Sequence, residues 1–313
     1  MGELLKGKAA VITGGGGGLG QAISLLFAKE GAKLVVNDVG GAKDGSGAST
    51  SPADRTAEEV RKLGGEAISN YDSIVNFGAA EKLIQACVQK YGKIDILVNL
   101  AGNLRDRMIW NMSEDDFDSV IAVHLKGSWN TSRHACAVMR QQRFGRIINV
   151  SSRVAWGNPG QSNYASAKAG LIGLTTTVAR EMGRYGVTCN AFMPLAATRF
   201  SATTEVAASK DKKAASGVQT QVQLGEIELP PPDDVAPLVA FLASDAGANV
   251  NGQLFFACGG EITLYQLPVP KKSIFSPGRW DATELAKVFP NTLGRDLVNP
   301  APPQPAAPPA PPK

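Results

Sequence analysis

Tyr164-Ala165-Ser166-Ala167-Lys168 sets a phenol and an ammonium one helical turn apart on a common face. A free tyrosine, with a pKa near ~10, is a poor base at neutral pH. A neighbouring cation favours the phenolate: Lys168 stands where one is needed, and a positively charged ring bound beside it would be a second. Tyr164 would then take up or return an alcohol proton. Such a pair alone is common on helix surfaces and carries chemistry only in the right surroundings. Just upstream, Arg146-Ile147-Ile148-Asn149-Val150-Ser151-Ser152 reads as a strand ending in two hydroxyls. One hydroxyl would hold and polarise a substrate oxygen. Adjacent strand residues face opposite ways, so one of the two enters a site and the other does not.

The second chemical feature is the turn Thr13-Gly14-Gly15-Gly16-Gly17-Gly18-Leu19-Gly20, between a strand-like run and a helix. Glycine lets the backbone approach a pyrophosphate, and the helix N-terminus contributes exposed N–H donors. Gly14, Gly18 and Gly20, with Leu19 among them, are the expected cradle of a dinucleotide. The second strand ends in Val35-Val36-Asn37-Asp38. An acid about 20 residues beyond the glycine turn accepts from the adenosine ribose and repels a 2′-phosphate, so Asp38 favours NAD over NADP. Asp72 and Ser73, closing the third strand, are expected near the adenine.

These residues need a scaffold. Strands are expected at Ala9–Thr13, Lys33–Asp38, Glu66–Tyr71, Ile94–Asn99, Arg146–Ser152, Val187–Phe192 and Leu254–Ala257, alternating with helices. Helices are expected over Gln21–Glu30, stopped by Gly31, and over Arg55–Leu63, stopped by Gly64-Gly65. Others run from a Ser113 cap toward Met139, over Tyr164–Tyr185, and from Asp233 or Asp234 through Ala243. The pattern predicts an α/β fold: a single Rossmann-like, doubly wound parallel sheet of about seven strands with a C-terminal extension. Residues 1–260 are expected to form the dinucleotide-binding and catalytic domain. Residues 261–299 form the extension, with one helical pattern at Asp281–Val288, and 300–313 a Pro/Ala-rich disordered tail. The Gly/Ser/Asp-rich stretch Gly40–Ala53 is a long loop of the functional or mobile kind.

Composition narrows the function classes. The 313 residues are 43% hydrophobic and 19% charged, as in ordinary globular proteins. A net charge of +4 gives no reason to expect nucleic acid. Four scattered cysteines and two histidines argue against a zinc site, so no metal is expected. No apolar run approaches the ~20 residues of a membrane span. The start lacks a signal-peptide pattern and the end lacks an S-K-L address, which reads as a cytoplasmic protein.

Together, the Thr13–Gly20 turn, Asn99-Leu100-Ala101-Gly102, the serine pair and Tyr164/Lys168 resemble the short-chain dehydrogenase/reductase family over residues 4–260. The resemblance implies that a serine, Tyr164 and Lys168 are catalytic. It also implies that Asn99, Ala101, Gly102, Tyr164, Lys168 and Pro194 border the cofactor. Alignment from the strand selects Ser152, whereas counting back from the tyrosine selects Ser151. Ser152 is preferred, because a loop shortens more easily than a strand shifts register. The family's relay asparagine is replaced by His124, which would hold a water or pass a proton, or else simply pack on the helix.

Several stretches are similar to one branch, the (3R)-hydroxyacyl-CoA dehydrogenase unit of peroxisomal multifunctional enzyme type 2. They include Val36–Gly41, Asn70–Ser73, Leu104–Arg107 and Val123–Gly127. That branch implies NAD-linked oxidation of a 3-hydroxyacyl-CoA to the 3-ketoacyl-CoA. Alternatives are a 17β-hydroxysteroid dehydrogenase acting on free steroid, and a non-catalytic dinucleotide-binding relative. Arg105, Arg107 and Lys126 are candidates for meeting CoA phosphates. The family's habit also implies a homodimer or homotetramer.

Overall fold

The computed structural model describes residues 2–198 and 229–300. Its strands and helices alternate: β1 (Ala9–Thr13), α1 (Gly18–Lys29), β2 (Lys33–Asn37), α2 (Ser51–Lys62), β3 (Glu66–Asn70), α3 (Phe77–Tyr91) and β4 (Ile96–Asn99). Next come α4 (Glu114–Ile121), a π-helical turn (Ala122–Lys126), α5 (Gly127–Gln142), β5 (Gly145–Val150), α6 (Ser162–Met182) and β6 (Val187–Pro194). The last elements are α7 (Ala236–Ala243), β7 (Leu254–Cys258), β8 (Glu261–Tyr265) and α8 (Ala282–Val288).

The strands form one sheet in the order β3-β2-β1-β4-β5-β6-β7-β8, parallel except for β8. Strands covered on both faces read as continuous apolar runs, as in Val11-Ile12 and Ile96-Leu97-Val98. Side chains then alternate between the two layers. Ile12, Ile96, Val98, Ile148 and Phe192 join one core, which includes Phe27, Val60 and Val239 from α1, α2 and α7. Val11, Leu97, Ile147 and Cys189 join the other, with Leu83, Met139 and Val178 from α3, α5 and α6. The connections diverge between β1 and β4, so a crevice opens over their C-terminal ends, where ligands of such sheets lie.

Three features differ from the sequence expectations. The sheet has eight strands, because the chain turns at Gly259-Gly260 and β8 pairs antiparallel with β7, Cys258 opposite Glu261. The extension therefore begins inside the sheet. A helix at α3, not anticipated, is capped by Asn76, whose side chain accepts the Ala79 N–H, and stopped by left-handed Gly92. The helix expected from Ser113 to Met139 is interrupted by the π-helical turn at Ala122–Lys126. The expected cap is present: Ser113 and Asp116 exchange hydrogen bonds in a capping box. The tail expected to be disordered lies, beyond Pro300, outside the described residues.

Candidate active site

β1 delivers Thr13 to the C-terminal edge of the sheet. Its hydroxyl accepts the N–H groups of Leu100 (3.1 Å) and Ala101 (3.3 Å), joining the ends of β1 and β4. Gly14 follows in the left-handed region (φ +67°), and a Cβ there would lie 2.9 Å from the Ala101 backbone. Gly20 presses on the Gly14 carbonyl, leaving no room for any side chain. Gly17, the N-cap of α1, instead faces open space, and left-handed Gly18 (φ +51°) opens the helix. Leu19 packs against the core and offers its backbone to the first turn. Close approach below and open space above α1's unsatisfied N–H groups make a cradle that suits a pyrophosphate.

Asp38 stands beside this cradle. One carboxylate oxygen accepts the Gly16 N–H at 2.9 Å and the other the Gly40 N–H at 2.7 Å. Asp72 is ordered by Asn70, which donates to its carboxylate (2.8 Å) and accepts its N–H (3.0 Å); Asn37 donates to both residues. Ser73 is exposed at the same edge.

The catalytic candidates meet at the end of β5 and the start of α6. Ser151 is buried and donates to the Lys168 carbonyl at 2.9 Å, so its hydroxyl serves α6. Ser152 faces the other way: it accepts the Val154 N–H and hydrogen-bonds with the Tyr164 phenol. The two serines thus divide as the alternation of a strand demands, and Ser152 is the one beside Tyr164. Lys168 Nζ donates to the Val150 carbonyl at 2.7 Å and lies 5.4 Å from the Tyr164 ring centroid.

Electrostatics set how far the phenol stands from ionising. Tyr164 is not eased toward phenolate by the protein alone. Burial pushes its phenol up to about 12, with Asp106 adding to the rise and the Ser152 hydrogen bond pulling back. Burial likewise brings Lys168 down to about 7. Desolvation outweighs the mutual attraction of phenolate and ammonium here, because both charged forms would be buried together.

His124 is 4% exposed and lies on the π-helical turn. Its ring meets Tyr164 edge-on, with centroids 5.1 Å apart, and its Nε2 meets both the N–H (3.1 Å) and the carbonyl (2.8 Å) of Asn103. Its Nδ1 is buried with no hydrogen-bond partner. Burial, then the Lys168 charge, holds the imidazole well below its ordinary pKa, so it is neutral. Gly102 is explained by the same ring: any Cβ would clash with His124 Cε1. Asn99 is 1% exposed, and its side chain bonds Asn149 (2.9 Å), Ser132 (3.2 Å) and Thr131 (2.7 Å). It therefore ties β4 to β5 and α5, and supports the site through the strand ends it holds.

The remaining candidates separate. Pro194 ends β6 at the same edge of the sheet. Arg105 is occupied by the Asp44 carbonyl (2.9 Å) and the Asp115 carboxylate. Arg107 donates to the Asp106 carbonyl at 2.8 Å, while Lys126 is exposed. The sequence reading missed the wall beyond Ser152. There Arg153 lies over the Phe256 ring (4.5 Å), and Trp156 meets Tyr265 of β8 edge-on at 6.1 Å. The alternating Glu261–Tyr265 run after two glycines was the available signal. Among the described residues, no group of His, Cys, Asp and Glu could hold a metal ion, and no helix is long and apolar enough to cross a membrane.

A glycine cradle at the switch point of a parallel sheet, beside a Ser–Tyr–Lys cluster, defines a dinucleotide-fold oxidoreductase. Comparison with known proteins makes the class specific. The family model described as short chain dehydrogenase matches residues 8–211, and the chain belongs to that family. It is 39% identical over 303 residues to "Hydroxyacyl-CoA dehydrogenase ChsB1" of Mycobacterium tuberculosis, covering 93% of this chain and 90% of that protein. It is 40% identical over 283 residues to "Peroxisomal multifunctional enzyme type 2" of Drosophila melanogaster, covering 90% of this chain but 44% of that protein. The chain thus spans less than half the length of that relative. A crystal structure of a short chain dehydrogenase from Mycobacterium avium superposes with a TM-score of 0.78 at 40% identity, covering 93% of this chain and 96% of that one.

Proposed function

We propose that this protein oxidises the hydroxyl of a 3-hydroxyacyl-CoA to the 3-ketoacyl-CoA with NAD as acceptor. The observation that carries the reading is the junction of Ser152, Tyr164 and Lys168 beside the Gly14–Gly20 cradle. A relative named as a hydroxyacyl-CoA dehydrogenase, 39% identical and matched over 90% of its length, supports the substrate class. In this reading residues 1–260 carry the reaction and 261–299 wall the substrate side.

Gly14, Gly18, Leu19 and Gly20 would hold the pyrophosphate of the dinucleotide. Asp38, Asp72 and Ser73 would meet its adenosine half, and Ala101, Gly102 and Pro194 would border its nicotinamide half. Bound there, NAD supplies a hydride acceptor whose oxidised ring is positively charged. Ser152 holds the substrate oxygen by its hydroxyl. Tyr164 Oη takes the alcohol proton, for which its phenol must ionise first. With the phenol at about 12 before any cofactor binds, a positive charge near Lys168 is a requirement of the chemistry. Neutral His124 keeps the Tyr164 ring and the Asn103 loop in register. Exposed Ile109 and Trp110 on the loop before α4, and Trp156 after Ser152, offer apolar surface to an acyl chain. Arg107 and Lys126 are left as partners for the CoA phosphates. We further infer, from the family's habit, that the enzyme works as a homodimer or homotetramer.

The test is NADH formation from a (3R)-hydroxyacyl-CoA, its (3S) epimer and a 17β-hydroxysteroid, with NADP as the alternative acceptor. Turnover of one CoA epimer with NAD and not NADP supports the reading. Turnover of free steroid alone overturns the CoA assignment, and equal use of NADP overturns the role of Asp38.

A further inference from the structure

In the sheet, β1 lies between β2 and β4, yet the loop leaving β2 is hydrogen-bonded to the segment that follows β4. The Leu104 N–H donates to the Lys43 carbonyl at 2.9 Å, and Arg105 Nε donates to the Asp44 carbonyl at 2.9 Å. These partners carry the loop past the C-terminal end of β1, the edge of the sheet from which the glycine cradle starts. Its base is closed by the Ser49 N–H on the Val39 carbonyl (2.9 Å), and is tied to the cradle through Asp38, which accepts from both Gly16 and Gly40. Its crest is shaped by the Ala42 carboxamide backbone, whose N–H meets the Ser46 carbonyl (2.7 Å), and by Asp44, which accepts both the Ser46 N–H (2.9 Å) and hydroxyl (2.7 Å). Left-handed Gly45 (φ +87°) rests on Asn103, and a Cβ there would stand 2.7 Å from Asn103 Nδ2.

We propose that residues 40–50 form a strap over the dinucleotide groove, and that Arg105 is the positioning residue that latches it. The inference rests on the dinucleotide reading above and adds how such a ligand is retained. The Arg105 side chain, 22% exposed, directs one arm to the strap carbonyl and another to Asp115 in the first turn of α4. Charge-assisted bonds of this kind are stronger than neutral ones, and the planar guanidinium fixes their direction. The Leu104 N–H on the Lys43 carbonyl anchors the contact through the backbone and Arg105 adds its side-chain latch, so losing the guanidinium weakens closure without unfolding the sheet. The latched segment also bears on the catalytic side. Asn163 donates to the Arg105 carbonyl at 2.9 Å, the Arg107 N–H to the Gly160 carbonyl at 2.9 Å, and Gln161 to the Asp106 carboxylate at 3.0 Å. Strap closure therefore meets the same segment that seats the start of α6, two residues before Tyr164.

The experiment follows NADH release from the full-length protein by stopped-flow fluorescence, in wild type, Arg105→Met and Gly45→Ala. The first variant removes the latch. The second lifts the crest off Asn103. Arg105→Met is expected to speed NADH dissociation about tenfold, the equivalent of one lost charge-assisted bond, and Gly45→Ala to speed it in the same direction by displacing the crest. Trypsin cleavage after Lys43 gives a second readout: NADH slows it in wild type and protects neither variant. Unchanged dissociation in both variants overturns the latch. Wild-type cleavage after Lys43 that ignores bound NADH overturns the strap. A wild type that binds neither NADH nor NADPH overturns the dinucleotide reading itself, and is told apart from the other outcomes by the absence of any binding signal.

Discussion

Lys168 gives the sharpest quantitative prediction, because burial alone lowers its pKa, from 10.5 in water to about 7 in the folded protein. Between those values the unfolded chain binds a proton that the folded chain does not. Stability therefore rises with pH across that window, by up to about 1.4 kcal/mol per pH unit. Integrating between pH 6.5 and 8.5 gives about 2 kcal/mol of added stability attributable to this one side chain. Above about pH 10 the sign reverses, because Tyr164, raised to about 12, stays protonated in the folded state after its unfolded counterpart has ionised. Lys168→Met lacks the titration and keeps most of the volume, although it leaves the Val150 carbonyl without its donor. The assay is urea unfolding of both proteins at pH 6.5, 7.5 and 8.5. Wild type should gain about 2 kcal/mol on the variant across the range. Parallel pH profiles for the two proteins would refute the reasoning, since every other titrating group is common to both.

Other expectations follow from the site geometry. Ser152→Ala should lower kcat by about 10²–10³-fold, as the loss of one donor to the substrate oxygen does elsewhere. Ser151→Ala should instead cost about 1 kcal/mol of stability by removing its bond to the Lys168 carbonyl, with kcat little changed. Steady-state kinetics and denaturant midpoints of the two variants separate these roles. Gly102→Ala drives a methyl group into His124 and, through that ring, disturbs Tyr164. It should cost about 1–3 kcal/mol of stability and lower kcat, and a fully active, equally stable variant would contradict the packing described.

The sheet and the cradle were legible because they depend on short-range rules. Apolar runs such as Ile96-Leu97-Val98 mark strands covered on both faces, and the glycines of 14–20 mark a turn that only glycine tolerates. That the two serines face opposite ways was also legible from strand alternation, and one of them meets α6 while the other meets Tyr164. Less visible were features that depend on partners distant in sequence. β8 was missed although two glycines precede an alternating run, because its role required β7 beside it and Trp156 across from Tyr265. The π-helical turn at His124 has no sequence signature of its own, and the match between that ring and Gly102 joins residues 22 positions apart. Arg105 read as a surface cation open to solvent or to a phosphate, because charge is visible in a sequence, whereas its carbonyl partner at Asp44, 61 residues away, is not. The protonation balance of Tyr164 and Lys168 was not legible for the same reason: spacing reveals the pair, whereas burial sets where each titrates.

The central claim is that Tyr164 moves the substrate proton. The measurement that tests it most directly is turnover and NADH binding in Tyr164→Phe, which removes one oxygen and leaves the ring against His124. A loss of at least about 10²-fold in kcat with NADH affinity retained is the predicted result, in line with a lost general acid–base. Turnover close to wild type would contradict the account.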